Sequence, residues 1–132
     1  MYLIDTSVLI DFLSGRSTPG TLILEQIIAG DLPFALPAIA VQEVLQGIRS
    51  EQDFAQTKAY LLSQNIVAPL DPILSHVEAA SLYRQAKAKG LTIRSSLDCL
   101  IAQCALERDL ILLHNDRDFS ALAQIAPLKT AG

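Results

Sequence analysis

Charge is scarce in this chain, cysteine is scarcer, and long uninterrupted hydrophobic sequence is missing altogether. Only 18% of the 132 residues are charged, against 51% hydrophobic. That is the reverse of the balance in disordered chains, so a sequence of this composition folds around a core. No apolar run approaches the roughly 20 residues of a membrane-spanning helix; ALPAIAV is stopped by Gln42 and Glu43. The opening MYLIDTSVL lacks a basic stretch and carries Asp5 early, unlike a secretory signal, so a cytoplasmic protein with no membrane association is expected. The two cysteines, Cys99 and Cys104, lie five positions apart, on different faces of a helix. No disulfide is expected from them, and without nearby histidines they make no structural zinc site. They read as small buried hydrophobes. Linkers, internal repeats and low-complexity segments are absent too, and this length fits one domain over residues 1–132.

What is present is acidic on balance, with 14 Asp and Glu against 10 Lys and Arg and a net charge of −4. Binding to nucleic acid by overall charge is disfavoured by that balance. The positive charge is uneven, however: Arg84, Lys87, Lys89 and Arg94 fall within eleven positions. They form either a solvated helix end, the simpler reading, or a local phosphate-binding patch.

Hydrophobic spacing and breakers predict alternating elements. YLID is a strand, followed by a helix through Leu13 that Thr6 or Ser7 caps. TLILEQIIAG is helical and stops on Gly30, PFAL is a strand, and PAIAVQEVLQGI is a helix opened by Pro37. Residues 51–64 form a further helix, NIVAPL a strand, and DPILSHVEAASLYRQAKAKG a long helix ending at Gly90. SSLDCLIAQCALERD is a helix capped by Ser95 or Ser96, LILLHN is a strand, and DFSALAQIA closes the chain as a short helix. Strands separated by helices predict an α/β fold, a short parallel sheet flanked by helices on both faces. In such sheets sites form beyond the carboxyl ends of the strands.

Four acids acquire meaning from that rule. Asp5 ends the first strand and Asp116 follows LILLHN, so both can reach the same sheet edge. Asp98 lies in the first turn of its helix, where the macrodipole favours a carboxylate, and Ala102 and Ala105 beyond it allow close approach to the sheet. Glu43 lies at the margin of its helix's apolar stripe. Each position also has a bland explanation, as a turn, a cap or a solvated side chain. Gathered at one edge, such carboxylates repel one another unless a cation neutralises them or some stay protonated. An all-oxygen donor set without histidine or thiolate suits Mg²⁺, with Mn²⁺ as substitute, and the chemistry natural to it is phosphodiester hydrolysis.

The same stretches resemble a known family over essentially the whole chain. MYLIDTSVLIDFL is similar to the opening strand and acid, PAIAVQEVLQGI to the helix with its glutamate, SSLDCLIAQCA to the D-x-x-I-A-x-x-A helix, and LLHNDRDF to the closing acidic motif of PIN-domain ribonucleases of the VapC type, the toxins of toxin–antitoxin pairs. That resemblance implies a PIN-like nuclease domain, Mg²⁺-dependent endoribonuclease activity on an RNA substrate, a homodimer, and inhibition by a cognate antitoxin protein. It places the catalytic quartet on Asp5, Glu43, Asp98 and Asp116, with Asp5, Asp98 and Asp116 as metal ligands and Glu43 completing the site or orienting the attacking water. Thr6 is either a partner of the first carboxylate or of a water, or a helix cap. Asp118 either holds a water near the ion or caps the final helix, the cap being the simpler role. His114 stands where the family usually has Thr or Ser, and either titrates near neutral pH or fills space.

The remaining polar residues read as ordinary structure: His76 as structural, Asp11 as the solvated side of its helix, and Asn115 and Arg117 as turn and surface residues, with contact to substrate or the scissile phosphate as the alternative. Two other classes compete with the nuclease. A receiver-like phosphoryl-transfer domain needs a late lysine after a strand, for which Lys129 is the sole candidate. A catalytically silent PIN-fold binding module has no use for clustered charge that opposes folding.

Overall fold

The computed structural model describes residues 1–132. In chain order the elements are β1 (Tyr2–Ile4), α1 (Thr6–Leu13), α2 (Pro19–Ala29), β2 (Phe34–Pro37), α3 (Ala38–Leu45), α4 (Glu51–Leu62), β3 (Ile66–Val67), α5 (Leu74–Ala88), α6 (Ser96–Glu107), β4 (Ile111–Leu113), α7 (Arg117–Leu122) and β5 (Lys129–Ala131). The strands form one sheet in the order β3-β2-β1-β4-β5, parallel throughout, with Tyr2 opposite both Phe34 and Ile111. No helix is long and apolar enough to cross a membrane.

Alternation along the strands builds two cores, because successive side chains of a strand point to opposite faces. Leu3, Ala35 and Leu112 face α5, α6 and α7, where they pack with Leu82, Ile101, Phe119 and Leu122. Ile4, Leu36 and Leu113 face the other way, onto Val8, Leu24, Ile27, Val44 and Leu61 of α1 to α4. The three central strands are therefore covered on both sides, as a parallel sheet requires. Ala102 and Ala105 are fully buried in the first core, consistent with close approach of α6 to the sheet. Cys99 and Cys104 are free and buried there, and burial pushes both thiols up to about 11.

Three local details differ from expectation. The cap of α1 is Asp5, whose carboxylate accepts from Ser7 N at 3.2 Å; neither Thr6 nor Ser7 does this. The strand expected over NIVAPL contracts to two residues, since Pro69 has no N–H to continue a ladder. Lys129–Ala131 adds a fifth strand beside β4, in a segment with no alternation to announce it. Gly90, with φ of 74°, ends the run after α5 in the left-handed conformation, as its position predicts.

Candidate metal centre

The carboxyl edge of β1 and β4 holds the acids. Asp5 follows Ile4 directly and Asp116 lies three residues beyond Leu113, each as the N-cap of the next helix. Asp98 projects from the first turn of α6. One carboxylate oxygen each from Asp98, Asp116 and Asp118 lies within 4.8 Å of the other two. Asp5, expected in this group, lies outside it, with Asp118 in its place; it is 3% exposed, and its charge still raises the pKa of Asp98. Glu43, half-buried on α3, is tied to the group through Thr6, whose Oγ1 donates to Glu43 Oε1 at 2.8 Å. Thr6 thus holds the glutamate and caps nothing.

Asp118 differs most from its expected part. It does not cap α7; Asp116 does, accepting from Asp118 N at 2.9 Å. The Asp118 side chain is buried and turns to the loop before α6, taking Arg94 N at 3.1 and 3.0 Å on its two oxygens and Ser95 N at 3.0 Å on Oδ2. Burial by itself would raise its pKa, but these backbone N–H groups, a hydrogen bond from Asp98 and the Arg94 charge together hold it low. A carboxylate satisfied in this way anchors the start of α6 and so fixes where Asp98 points. Its partners lie 23 and 24 positions away, so no local sequence signal reveals the role.

Burial dominates the electrostatics of the site, and repulsion between the acids adds to it. Burial pushes the Asp98 carboxyl up to about 8, reinforced by a hydrogen bond to Asp118 and by the charges of Asp5, Asp116 and Asp118. Asp5 is raised as well, by burial first and by Asp116 last, against the lowering hydrogen bonds from Ser7 and Thr6. Asp98 Oδ2 is buried with no donor facing it, an arrangement that is stable only with a proton or a cation between the acids. The nearest protein cation is Arg94, with Nη2 3.3 Å from Asp116 Oδ1 and Nε 3.8 Å from Asp118 Oδ1. An all-oxygen set with an orphaned acceptor fits a hard divalent ion.

The neighbours are settled too. His114 is buried, accepts from Asp116 N at 3.2 Å on Nδ1 and packs against Phe119 with ring centroids 5.2 Å apart. Burial lowers its pKa despite the Asp116 N–H and charge, which favours the neutral imidazole as a spacer that shapes the turn. His76 is exposed at the rim of a cavity between α5 and α6, outside the core. Asp11 pairs with Arg16 at 3.5 Å, and Asn115 Nδ2 donates to Thr18 Oγ1 at 3.2 Å. Lys129 pairs with Asp109 at 2.8 Å and sits opposite Ile111, at the far end of β4 from the acids, which rules out the receiver-like arrangement.

A five-stranded parallel α/β sheet with carboxylates gathered at the carboxyl ends of its central strands defines the class. The PIN domain model matches residues 2–125, and the chain belongs to the PIN domain family. Over 132 residues, 99% of this chain and 98% of each relative, it is 27% identical to the VapC ribonuclease Mb1587 of Mycobacterium bovis and to ribonuclease VapC11 of Mycobacterium tuberculosis. The fold is shared with the complex VapBC2 of Rickettsia felis bound to a promoter DNA fragment (TM-score 0.73, 20% identity, 98% of this chain and 96% of that one). FitAcB of Neisseria gonorrhoeae is equally similar in fold (TM-score 0.73, 22% identity, 100% and 97% covered).

Proposed function

We propose that the chain is a divalent-metal-dependent endoribonuclease, one PIN-like nuclease domain over residues 1–132, acting in the cytoplasm as the toxin of a toxin–antitoxin pair. The observation that carries this is the buried, donorless Asp98 Oδ2 among acids that repel it, a cost a merely structural edge has no reason to bear. The end-to-end similarity to relatives named ribonucleases supports the reaction. Solved toxin–antitoxin complexes of similar fold support an antitoxin partner, and a homodimer belongs to the same reading.

Asp5, Asp98 and Asp116 would hold Mg²⁺, with Mn²⁺ as substitute. When bound, the ion supplies Lewis-acid chemistry, activating a water and neutralising charge that builds on the phosphate. The chain's own residues do the rest. Asp118 fixes the start of α6 and hence Asp98, and Asp116 is held by the Asp118 N–H. Glu43, restrained by Thr6 at Oε1, keeps Oε2 free to orient the attacking water toward an RNA phosphodiester. The test is cleavage of a structured RNA pool by the antitoxin-free protein with Mg²⁺ or Mn²⁺ against EDTA, with Asp98→Asn alongside. Metal-dependent cutting lost in the variant supports the assignment; cutting that survives in Asp98→Asn removes Asp98 from the mechanism.

A further inference from the structure

Next to the acids, between α5 and α6, lies a cavity of about 550 Å³ with an apolar floor, Ile93 and Leu100, and a rim of Tyr83, Arg84, Arg94 and His76. Its size is that of a small-molecule pocket, and an apolar floor with a few converging polar groups is the usual build of one. Two features tie it to the acids and to an anion. Arg94 belongs to both places, lining the cavity while its guanidinium reaches Asp116. Arg84 is free, since the four ion pairs of the chain use Arg16, Arg94 and Lys129 as cations. In a chain of net charge −4, two arginines beside a carboxylate cluster are what a polyanion needs to approach it. Tyr83 is 37% exposed, which leaves ring surface open at the rim.

We propose that this cavity is the subsite for one nucleoside of single-stranded RNA, its base over the apolar floor against Tyr83 and its flanking phosphate between Arg84 and Arg94. The proposal rests on the nuclease reading and says where the substrate lies relative to the acids. An inorganic anion would have no use for the apolar floor, and a paired base in a duplex cannot enter, whereas a splayed base stacks on an aromatic ring and brings its phosphate to an arginine. The basic segment of the sequence is divided by this geometry. Arg84 and Arg94 face the cavity; Lys87 lines an adjoining recess of about 140 Å³ that shares Tyr83 and Ile93 with the cavity, and Lys89 lines neither.

Fluorescence anisotropy of a fluorescein-labelled decauridylate, with the full chain in EDTA so that nothing is cut, tests the assignment. Arg84→Ala should weaken binding about 5–10-fold and lower the salt slope by about 0.7, the value for one phosphate contact on a single strand. Tyr83→Ala should weaken it by about as much with the slope unchanged, since stacking releases no counter-ions. Lys87→Ala and Lys89→Ala should stay within about twofold of wild type, the marker of a local subsite as opposed to a diffuse field. Wild-type affinity in both Arg84→Ala and Tyr83→Ala overturns the proposal, as does absence of binding by the wild-type chain. Sedimentation velocity on the same proteins covers the other occupant: a wild-type dimer that both variants dissociate, with RNA affinity unchanged, makes the cavity a contact between copies and also overturns it. Wild-type cleavage with metal while both variants bind normally removes the subsite and leaves the nuclease; no cleavage by the wild type removes the nuclease reading itself.

Discussion

Replacing Asp98 by Asn should stabilise the metal-free protein, and by more as the pH rises. The raised carboxyl, at about 8, keeps its proton in the folded state where the unfolded chain has lost it. Folded protein therefore binds more protons across this window, and linkage makes wild-type stability fall as pH climbs from about 4 to about 8, then level off. Each pH unit of that window corresponds to about 1.36 kcal/mol, so its full width sets an upper bound of about 6 kcal/mol. Asp98 is only half-buried, and solvent screening and side-chain relaxation reduce that bound to about 1–3 kcal/mol. Asparagine is isosteric and cannot ionise, so it lacks the penalty. Thermal melts in EDTA at pH 5.5 and 8.5 should show the advantage of Asp98→Asn widening by several degrees at the higher pH. Saturating Mn²⁺ should reverse the order, because the wild type alone gains the full binding free energy. An advantage that is absent, or that shrinks as the pH rises, refutes the repulsion argument.

Proton competition at the same carboxyl predicts that apparent Mn²⁺ affinity rises about tenfold per pH unit between pH 6 and 8 and levels above it; calorimetry showing a flat profile counts against Asp98 as ligand. Asp118→Asn should destabilise the fold by about 2–3 kcal/mol in urea titration, because buried N–H groups of Arg94 and Ser95 lose a charged acceptor, and their amides should lose exchange protection; a change under about 0.5 kcal/mol would remove the anchoring role. Thr6→Val keeps the shape of the side chain while releasing Glu43, so cleavage should drop about tenfold with Mn²⁺ affinity unaltered, whereas loss of Mn²⁺ affinity would make Glu43 a ligand. The His114 imidazole should titrate below the ordinary value of about 6.5 in a proton NMR titration, and its depressed pKa removes stability as pH falls below that value; an inflection at or above 6.5 would contradict its burial.

Much of this was legible locally. The alternation of YLI and ILL, the helical stripes, Gly90 as a stop and the α/β order follow from side-chain periodicity and backbone preference, which are short-range properties. The rule that sites lie beyond the carboxyl ends of parallel strands brought Asp5, Asp98 and Asp116 toward one edge before any coordinates. Other features depend on partners far apart in sequence. The pairing of Lys129–Ala131 with β4 comes from an open strand edge, which overrides the weak preference of KTA. Asp118 as anchor for residues 94 and 95 and Thr6 as holder of Glu43 were fixed by packing across 23 to 37 positions.

The sequence by itself determined the kinds of donor, all oxygen, and hence the kind of ion and reaction they can serve, because ligand chemistry is a property of residue type. Only the tertiary structure decided which acid carries the penalty, since Asp98 is the one desolvated beside the other acids with its Oδ2 left without a donor. Desolvation and charge–charge distance exist only once the chain is folded.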